Sequence, residues 1–175
     1  MRKILFSVAA LFAFGAANAQ DAGGFSLGAH VGIPMGDVKD YSGLNYGIDA
    51  AYMWPVMENF GLGIASGYTM FSGKDFDNTI VGPDGTIIKT TVKGDGFGFI
   101  PLAAAGKYML TENLFLGVDL GYAFYVGDGN GDGGLYYQPK LGYDFKPFEM
   151  FISYKGIEDN SSINAVGLGV AYKFY

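Results

Sequence analysis

The stretch that most limits the fold is residues 163–175, because large apolar residues alternate there with small or charged ones. From Ala165 onward the two sets are Val166, Leu168, Val170, Tyr172 and Phe174 on one side, and Ala165, Gly167, Gly169, Ala171 and Lys173 on the other. A period of two predicts a two-faced β-strand and not a helix. A strand at the end of a chain is an exposed edge, and pairing it with the first strand of the same chain removes that edge. The pattern therefore favours a closed barrel.

The N-terminus carries the only long apolar run of the sequence. Arg2 and Lys3 precede this run and Ala17-Asn18-Ala19 ends it, which is the pattern of a secretory signal peptide. A membrane anchor would need about 20 apolar residues, more than this run provides. We therefore expect residues 1–19 to be removed by cleavage between Ala19 and Gln20, and residues 20–175 to form one barrel domain.

The composition of the mature chain excludes several functions. Removing Arg2 and Lys3 from 11 basic residues leaves nine against 17 acidic ones, a net charge of −8. A chain this acidic is not expected to bind nucleic acid. The sequence contains no cysteine, so disulfides, thiolate metal sites and a cysteine nucleophile are excluded. We also expect no cofactor.

Seven further segments show the same alternation, so the sequence predicts eight strands. These segments are residues 25–33, 45–54, 60–70, 100–110, 114–125, 135–145 and 148–155. Four connections are long (34–43, 72–95, 127–133 and 156–162) and alternate with three short ones (55–59, 111–113 and 146–147). Long loops on one rim, with short turns on the rim of the termini, are the arrangement of outer-membrane barrels.

Volume decides which face of the barrel is apolar. An eight-stranded barrel has an interior only just wide enough for side chains to fill, and roughly forty large apolar residues exceed that space. The other face is rich in glycine and alanine, with a few charges. Small residues inside and bulky apolar ones outside are stable when lipid is the outer solvent. The sequence thus predicts an eight-stranded antiparallel up-and-down transmembrane β-barrel, a monomer with its backbone hydrogen bonds made internally.

Aromatic residues are expected to form two belts, because Tyr and Trp favour the interfaces between lipid and water. The belt beside the short turns includes Tyr52, Trp54, Tyr108, Tyr172 and Phe174, whereas aliphatic residues occupy the middle of the strands. Two prolines, Pro101 and Pro139, fall inside strands of a barrel without a free edge. A β-bulge, or a strand that rises beyond its neighbour, is expected at each.

Three stretches carry a family resemblance: the signal end ANAQ, the hairpin FIPLAAAGKYML-TENLFLGVDLGY, and the closing AVGLGVAYKFY. In these stretches the chain resembles the small eight-stranded outer-membrane barrels of the OmpA/OmpX type, the porin-family barrel domains of Gram-negative bacteria. The resemblance implies a place in the outer membrane, surrounded by its lipid. It also implies that the outer-membrane assembly machinery reads the terminal strand, with Tyr172 and Phe174. It specifies no reaction.

His30 is the sole histidine and faces the lumen by parity, so no second His or Cys is available for a metal site. A lipid-modifying enzyme would resemble the lipid A deacylases, which are barrels that use Ser, His and an acid. Such chemistry needs a base beside a nucleophile at the lipid face. Because His30 points to the lumen, we expect no enzymatic activity.

The loop residues Asp128, Asn130 and Asp132 have the spacing that begins a calcium loop. The twelfth position of such a loop should be Glu, but here it is Pro139 within a strand. Weak calcium binding is therefore the alternative to a flexible glycine-rich connection, which we expect.

Three charged residues from successive strands, Lys107, Asp119 and Lys140, face the lumen by parity. A hairpin in phase would set Asp119 opposite Lys140 and diagonal to Lys107, which predicts one carboxylate between two ammonium groups. A water-filled path is the alternative to a plug of side chains, and the barrel size favours the plug. We therefore expect a structural or surface-interaction protein that acts through extracellular loops, with a narrow channel and a lipid-modifying enzyme as alternatives.

Overall fold

The structure, a computed structural model, describes residues 24–81, 87–92, 94–127, 131–159 and 162–174, with the backbone alone along 76–81, 87–90 and 92. Its strands are β1 (Gly24–Met35), β2 (Ser42–Met57), β3 (Phe60–Gly73), β4 (Phe76–Val81), β5 (Ile87–Val92), β6 (Phe97–Met109), β7 (Leu114–Val126), β8 (Gly134–Asp144), β9 (Phe148–Glu158) and β10 (Ser162–Phe174). A short 3-10 helix, Gly36–Asp40, follows β1. Among the residues that the structure describes, no helix has the length and apolar character needed to cross a membrane.

Eight of these strands close into an antiparallel barrel in the order β1-β10-β9-β8-β7-β6-β3-β2, as the sequence predicts. The first and last strands pair without a register shift, from Phe25 opposite Phe174 to Met35 opposite Asn164. Closure therefore leaves none of the eight strands with an unpaired edge. The short turns lie on the rim of the chain ends, the short-turn rim, and the other connections lie on the opposite rim, the long-loop rim.

The outer face of the barrel is apolar and uncovered. Mid-strand side chains such as Leu168 (59%), Ile48 (57%) and Leu120 (55%) are more than half exposed, whereas the inward Ala165 and Ala171 are buried. A surface of this kind is unstable in water and stable in the hydrocarbon of a bilayer. The outward orientation of the apolar face agrees with the volume argument from the sequence.

The expected bulges at Pro101 and Pro139 are wrong. The pairing of β6 with β3 omits Ile100 and Pro101 and then resumes in the same register, and that of β8 with β9 omits Gln138 and Pro139 in the same way. Because proline lacks an N–H, it loses one hydrogen bond to one neighbouring strand, while the pairing with the strand on its other side stays intact. No extra residue, and hence no bulge, is needed. The Pro101 carbonyl accepts a hydrogen bond from Ser66 Oγ at 2.8 Å. The register shifts that do occur lie in β2, between Ser42 and Asn45 and between Pro55 and Met57.

The expected long loop 72–95 contains a hairpin that the sequence reading did not predict. Strands β4 and β5 pair antiparallel, from Phe76 opposite Val92 to Val81 opposite Ile87, and form a separate two-stranded sheet. The hairpin follows β3 and precedes β6, so it belongs to the long-loop rim. Its strands are six residues each, and glycine, aspartate and threonine in and around them obscure the alternation.

Candidate functional site in the barrel interior

The interior beside the long-loop rim is filled with aromatic and aliphatic side chains, which we call the apolar plug. Its large members are Val38, Phe71, Phe97, Phe99, Tyr125, Tyr136 and Ile157. The ring of Phe99 lies edge-on to those of Phe97 and Tyr125, with centroids 5.9 and 5.6 Å away. Phe71 and Phe99 are 0% and 1% exposed, respectively. The plug therefore closes this end of the lumen with packed rings, in agreement with the barrel size.

Beneath the plug lies a buried polar group that we call the His30 cluster: His30, Asn45, Asp49, Thr69 and Lys155. Glycines make room for the imidazole, because the cross-strand partners of His30 are Gly47 in β2 and Gly169 in β10. A Cβ on Gly47 would lie 2.8 Å from the imidazole and 2.0 Å from the Tyr68 carbonyl oxygen. The small inward residues of the sequence thus serve to seat a few large polar side chains.

Hydrogen bonds fix the imidazole of His30 on both sides. Its Nδ1 lies 2.7 Å from Asp49 Oδ2, and its Nε2 lies 2.8 Å from Lys155 Nζ and 3.1 Å from Thr69 Oγ1. An ammonium group only donates, so Nε2 accepts. The network therefore assigns the imidazole proton to Nδ1, which donates to Asp49.

Lys155 crosses the whole lumen. Its Nζ donates to Thr69 Oγ1 at 3.1 Å, and the parent strands β9 and β3 are diametrically opposite in the barrel order. Asn45 Nδ2 also donates to this Thr69 oxygen, at 2.8 Å. In the described part of the chain, Lys155 has no carboxylate within salt-bridge distance, so it reaches Asp49 through the imidazole. Lys155 is 3% exposed, which makes this bridge a buried one.

The three charged residues singled out in the sequence do not form one network. Lys140 Nζ lies 2.5 Å from Asp119 Oδ2, but Asp119 is directly opposite Gln138, and Lys140 is diagonal to it. Lys107 is also diagonal to Asp119, yet its ammonium pairs with Glu149. The expected carboxylate between two ammonium groups is therefore wrong. The reason is that the stagger of a barrel brings β6 and β9 together across a narrow lumen.

The half of the lumen beside the short-turn rim holds these ion pairs around an open cavity. The mouth cavity has a volume of about 570 Å³, opens at the short-turn rim, and is lined by Ser26, Lys107, Phe115, Asp119 and Glu149 among others. Lys107 Nζ sits 3.9 Å from the centre of the Phe115 ring, a cation–π contact. A third pair, Asp144 with Lys173, lies at the rim, where Asp144 Oδ1 also accepts from the Lys146 N–H at 3.0 Å.

A second, smaller cavity of about 40 Å³ lies deeper in the barrel. It shares Ser26, Ala51, Asp119, Lys140 and Glu149 with the mouth cavity, and it is also lined by Asp49 and Tyr136. A polar space of this volume is large enough for a water molecule. The two cavities therefore adjoin, and Asp49 lines the deeper one.

The order Asp49, His30 and Thr69 has the hydrogen-bond pattern of a hydrolytic triad. Thr69 is 1% exposed, its oxygen already accepts from Asn45 and Lys155, and it lines neither cavity. A nucleophile needs a free approach for the carbonyl carbon that it attacks. The geometry therefore fits a structural bridge better than a catalytic site.

The aromatic residues expected at the short-turn rim lie there. Trp54, Tyr108, Tyr172 and Phe174 are exposed on the outer face, and Tyr52 is half-buried beside Trp54, with ring centroids 4.8 Å apart. The rings of Tyr172 and Phe174 are 4.9 Å apart. Such a belt holds amphipathic rings at the depth of the lipid headgroups.

Two groups of sequence-predicted residues receive little or no structural description. The signal segment 1–19, with the cleavage position between Ala19 and Gln20, lies outside the described residues. Asp128 and Asn130 of the expected calcium loop also lie outside them, and Asp132 is exposed. Within the described residues, no three His, Cys, Asp or Glu side chains cluster as a metal site would require.

Several lumenal residues were not singled out from the sequence, although parity already placed most of them inward. Asp49, Glu149 and Lys155 occupy the same face as the glycines and alanines of their strands. Phe71, Phe97 and Phe99 were missed because β3 and β6 extend beyond the residues assigned to strands. Continuing the two-residue period beyond the assigned ends of β3 and β6 would have placed the three phenylalanines on the inward face as well.

Comparisons with known proteins identify the fold. The crystal structure of Ail, the attachment invasion locus protein of Yersinia pestis, is similar with a TM-score of 0.52 and 17% identity, covering 87% of this chain and 97% of that chain. A de novo designed barrel solved by solution NMR is similar with a TM-score of 0.53 and 14% identity, covering 90% of this chain and 99% of that chain. No family model matches the sequence, and no curated protein matches it. The chain therefore has the fold of the small eight-stranded outer-membrane barrels that it resembles in sequence.

Proposed function

We propose that the chain is an integral outer-membrane barrel with a structural or surface-interaction role, exerted by the connections of its long-loop rim. The observation that carries this proposal is the combination, on one rim, of a plugged lumen and the separate β4–β5 hairpin. Because packed side chains fill this end of the lumen, the loops are the elements available to act there. Connecting segments of a rigid scaffold are the usual place of binding residues.

The register of the hairpin supports an interaction role. Phe76 pairs with Val92 and Ile80 pairs with Ile88, which places four apolar residues on one face of a two-stranded sheet. An isolated hairpin is marginally stable in water, and among the described residues β4 and β5 pair only with each other in the sheet. Contact with another surface would stabilise the hairpin. Ail, which shares the fold, is named as an attachment protein, and attachment is the activity to test first.

The test compares cells that carry the full chain with cells in which residues 76–92 are replaced by a short glycine-serine turn. Attachment to immobilised matrix proteins and glycans is measured, and the shift between folded and unfolded bands on a gel shows that the barrel remains intact. We expect attachment to fall when the hairpin is removed. Equal attachment of both strains, or attachment no greater than that of cells without the protein, would contradict the surface-interaction role.

A narrow channel is the second candidate, and the mouth cavity favours it. Because of this cavity, the lumen is open in the half of the barrel beside the short-turn rim. Conductance would need a path through the apolar plug, so we expect planar bilayers at neutral pH to show no discrete openings. Regular openings under these conditions would favour the channel.

We propose no enzymatic activity. The acyl pattern of lipid A is expected to be the same in cells with and without the protein.

The location of the protein is tested separately. We propose that the chain is exported through the cleaved signal, inserted by the outer-membrane assembly machinery and surrounded by outer-membrane lipid as a monomer. Sequencing of the protein from purified outer membranes should give Gln20 as the first residue. A chain that retains residues 1–19, or that is recovered from another fraction, would contradict this location.

A further inference from the structure

We propose that the His30 cluster is an acid-operated latch, which keeps the apolar plug closed until a proton arrives from the short-turn side. The proposal goes beyond the surface role, which depends on the loops. It rests on three features of the lumen: a bridge across its full diameter, the attachment of that bridge to the plug, and a polar path that leads to it from one rim.

The bridge joins opposite walls of the barrel. Lys155 extends from β9, and its Nζ contacts Thr69 Oγ1 of β3 and His30 Nε2 of β1. Asp49 completes the arrangement as the acceptor for His30 Nδ1. One buried ammonium group thereby links β9 to β3 on the far side and to β1, and through His30 to Asp49 of β2. Separation of Lys155 from these partners would remove the side-chain link between the two walls.

The bridge is built on the strands that carry the plug. Phe71 lies two residues beyond Thr69 in β3, and Ile157 lies two residues beyond Lys155 in β9, so each follows its neighbour on the same face. Phe99 is paired directly with Thr69 across the β3–β6 ladder. A change in the spacing of β3 and β9 at the latch must therefore move the rings that close the lumen.

Protons have a path to the cluster from the short-turn rim. The mouth cavity opens there, the smaller cavity shares Asp119, Lys140 and Glu149 with it, and Asp49 lines the smaller cavity. On the other side the packed rings of the plug separate the cluster from the long-loop rim. The latch is therefore expected to sense the pH of the periplasm and not that of the medium.

Protonation changes the charge balance of the cluster. The groups that contact the imidazole directly are Asp49 of β2, Thr69 of β3 and Lys155 of β9. Its β10 neighbour is Gly169, and the other titratable groups nearby, the Asp119–Lys140 pair, Glu149 and Tyr136, line the smaller cavity together with Asp49. A proton on Nε2 removes one of the two acceptors of Lys155, the other being Thr69 Oγ1, and sets a second positive charge 2.8 Å from the first. Among the described residues Asp49 is the one carboxylate in contact with the pair, so repulsion drives Lys155 away.

The test measures conductance in planar bilayers while each side is acidified in turn from pH 7.5 to pH 5. Insertion direction is read from the side on which an added protease trims the long loops. The wild-type chain should be closed at pH 7.5 and should open when the short-turn side is acidified. Opening probability should rise at least tenfold on that side and remain unchanged on the other. No opening at pH 5, or equal opening from both sides, would overturn the latch.

Two variants and one matched control assign the effect to the cluster. H30Q keeps a polar side chain that does not titrate, and K155M removes the ammonium that is repelled, so both should lose the acid response. K173M removes a lysine at the rim that, like its partner Asp144, does not line the smaller cavity, so the acid response should persist. An acid response retained in H30Q, or lost in K173M while the barrel is folded, would contradict the assignment.

A spectroscopic measurement on the unaltered protein guards against variants that fail to fold. Because His30 is the sole histidine, ¹⁵N labelling of histidine gives one imidazole in the NMR spectrum. At pH 7.5 the spectrum should show a neutral ring with the proton on Nδ1, and acid should add a proton on Nε2 over the range in which the barrel opens. The opposite tautomer at pH 7.5, or protonation without opening, would refute the latch. The surface role is tested separately, by the replacement of residues 76–92.

Discussion

The two halves of the lumen contain similar residues but use them differently. Beside the long-loop rim, aromatic rings and the His30 cluster are buried, and one lysine bridges the full diameter. Beside the short-turn rim, three ammonium groups each have their own carboxylate (Lys107 with Glu149, Lys140 with Asp119 and Lys173 with Asp144), and the pairs surround an open cavity. Leaving a charge unpaired costs little free energy where water reaches it and much more where the charge is buried. The half beside the long-loop rim is therefore packed with side chains, and the half beside the short-turn rim is an open vestibule.

The largest expected effect is that of Asp49→Ala. The substitution removes the carboxylate that pairs with His30 and, through it, with the buried ammonium of Lys155, and breaking a buried network in this way costs about 3 to 5 kcal/mol. The measurement is the free energy of unfolding in urea, in the same detergent, for this variant and for Asp132→Ala in an exposed loop. A loss similar to that of Asp132→Ala would show that water reaches the cluster.

Paired aromatic truncations compare the packing of the two halves. Phe71→Ala removes a ring with 0% exposure from the plug and should cost about 3 to 5 kcal/mol, because the cavity it leaves stays dry. Phe115→Ala removes a ring that is 2% exposed but lines the mouth cavity, so water can enter the space and the cost should be smaller, about 1.5 to 3 kcal/mol. Thermal unfolding of the two variants gives the comparison. A larger loss for Phe115→Ala would reverse the roles of the two halves.

An intermediate effect is expected for Asp119→Ala. Its partner Lys140 has 15% side-chain exposure and faces the mouth cavity, so the freed ammonium is partly hydrated. The loss of a charged hydrogen bond should cost about 1.5 to 3 kcal/mol, less than Asp49→Ala. The same urea titration ranks the two variants. Equal losses would mean that depth in the lumen does not set the cost of a charge.

The smallest effect is expected for Glu112→Gln at the edge of the mouth cavity. Glu112 is exposed, and surface substitutions away from special features usually change stability by less than about 0.5 kcal/mol. Unfolding midpoints of this variant and the unaltered chain should coincide. A clear loss would indicate that the rim is more ordered than its exposure suggests.

The sequence predicts the barrel well because strand period and side-chain volume are local properties. Leu120 and Ala123 fall on opposite faces by counting alone, and the structure places them so. The pairing of Lys107 with Glu149 was not predicted, because it depends on the stagger of strands that are far apart in the chain. The bridge from Lys155 to Thr69 has the same origin. Sequence patterns thus give the face on which each residue lies, and the closed barrel determines which residues meet across the lumen.

The most direct test of a lumen sealed at one end uses the absence of cysteine from the sequence. Single-cysteine variants are made at Ser26, which lines the mouth cavity, and at Ala165, which is buried in the plug. A membrane-impermeant thiol reagent is applied to each side of the reconstituted protein at pH 7.5. We expect Ser26→Cys to react from the short-turn side alone and Ala165→Cys to react from neither side. Reaction of either variant with reagent applied at the long-loop side would contradict a sealed lumen.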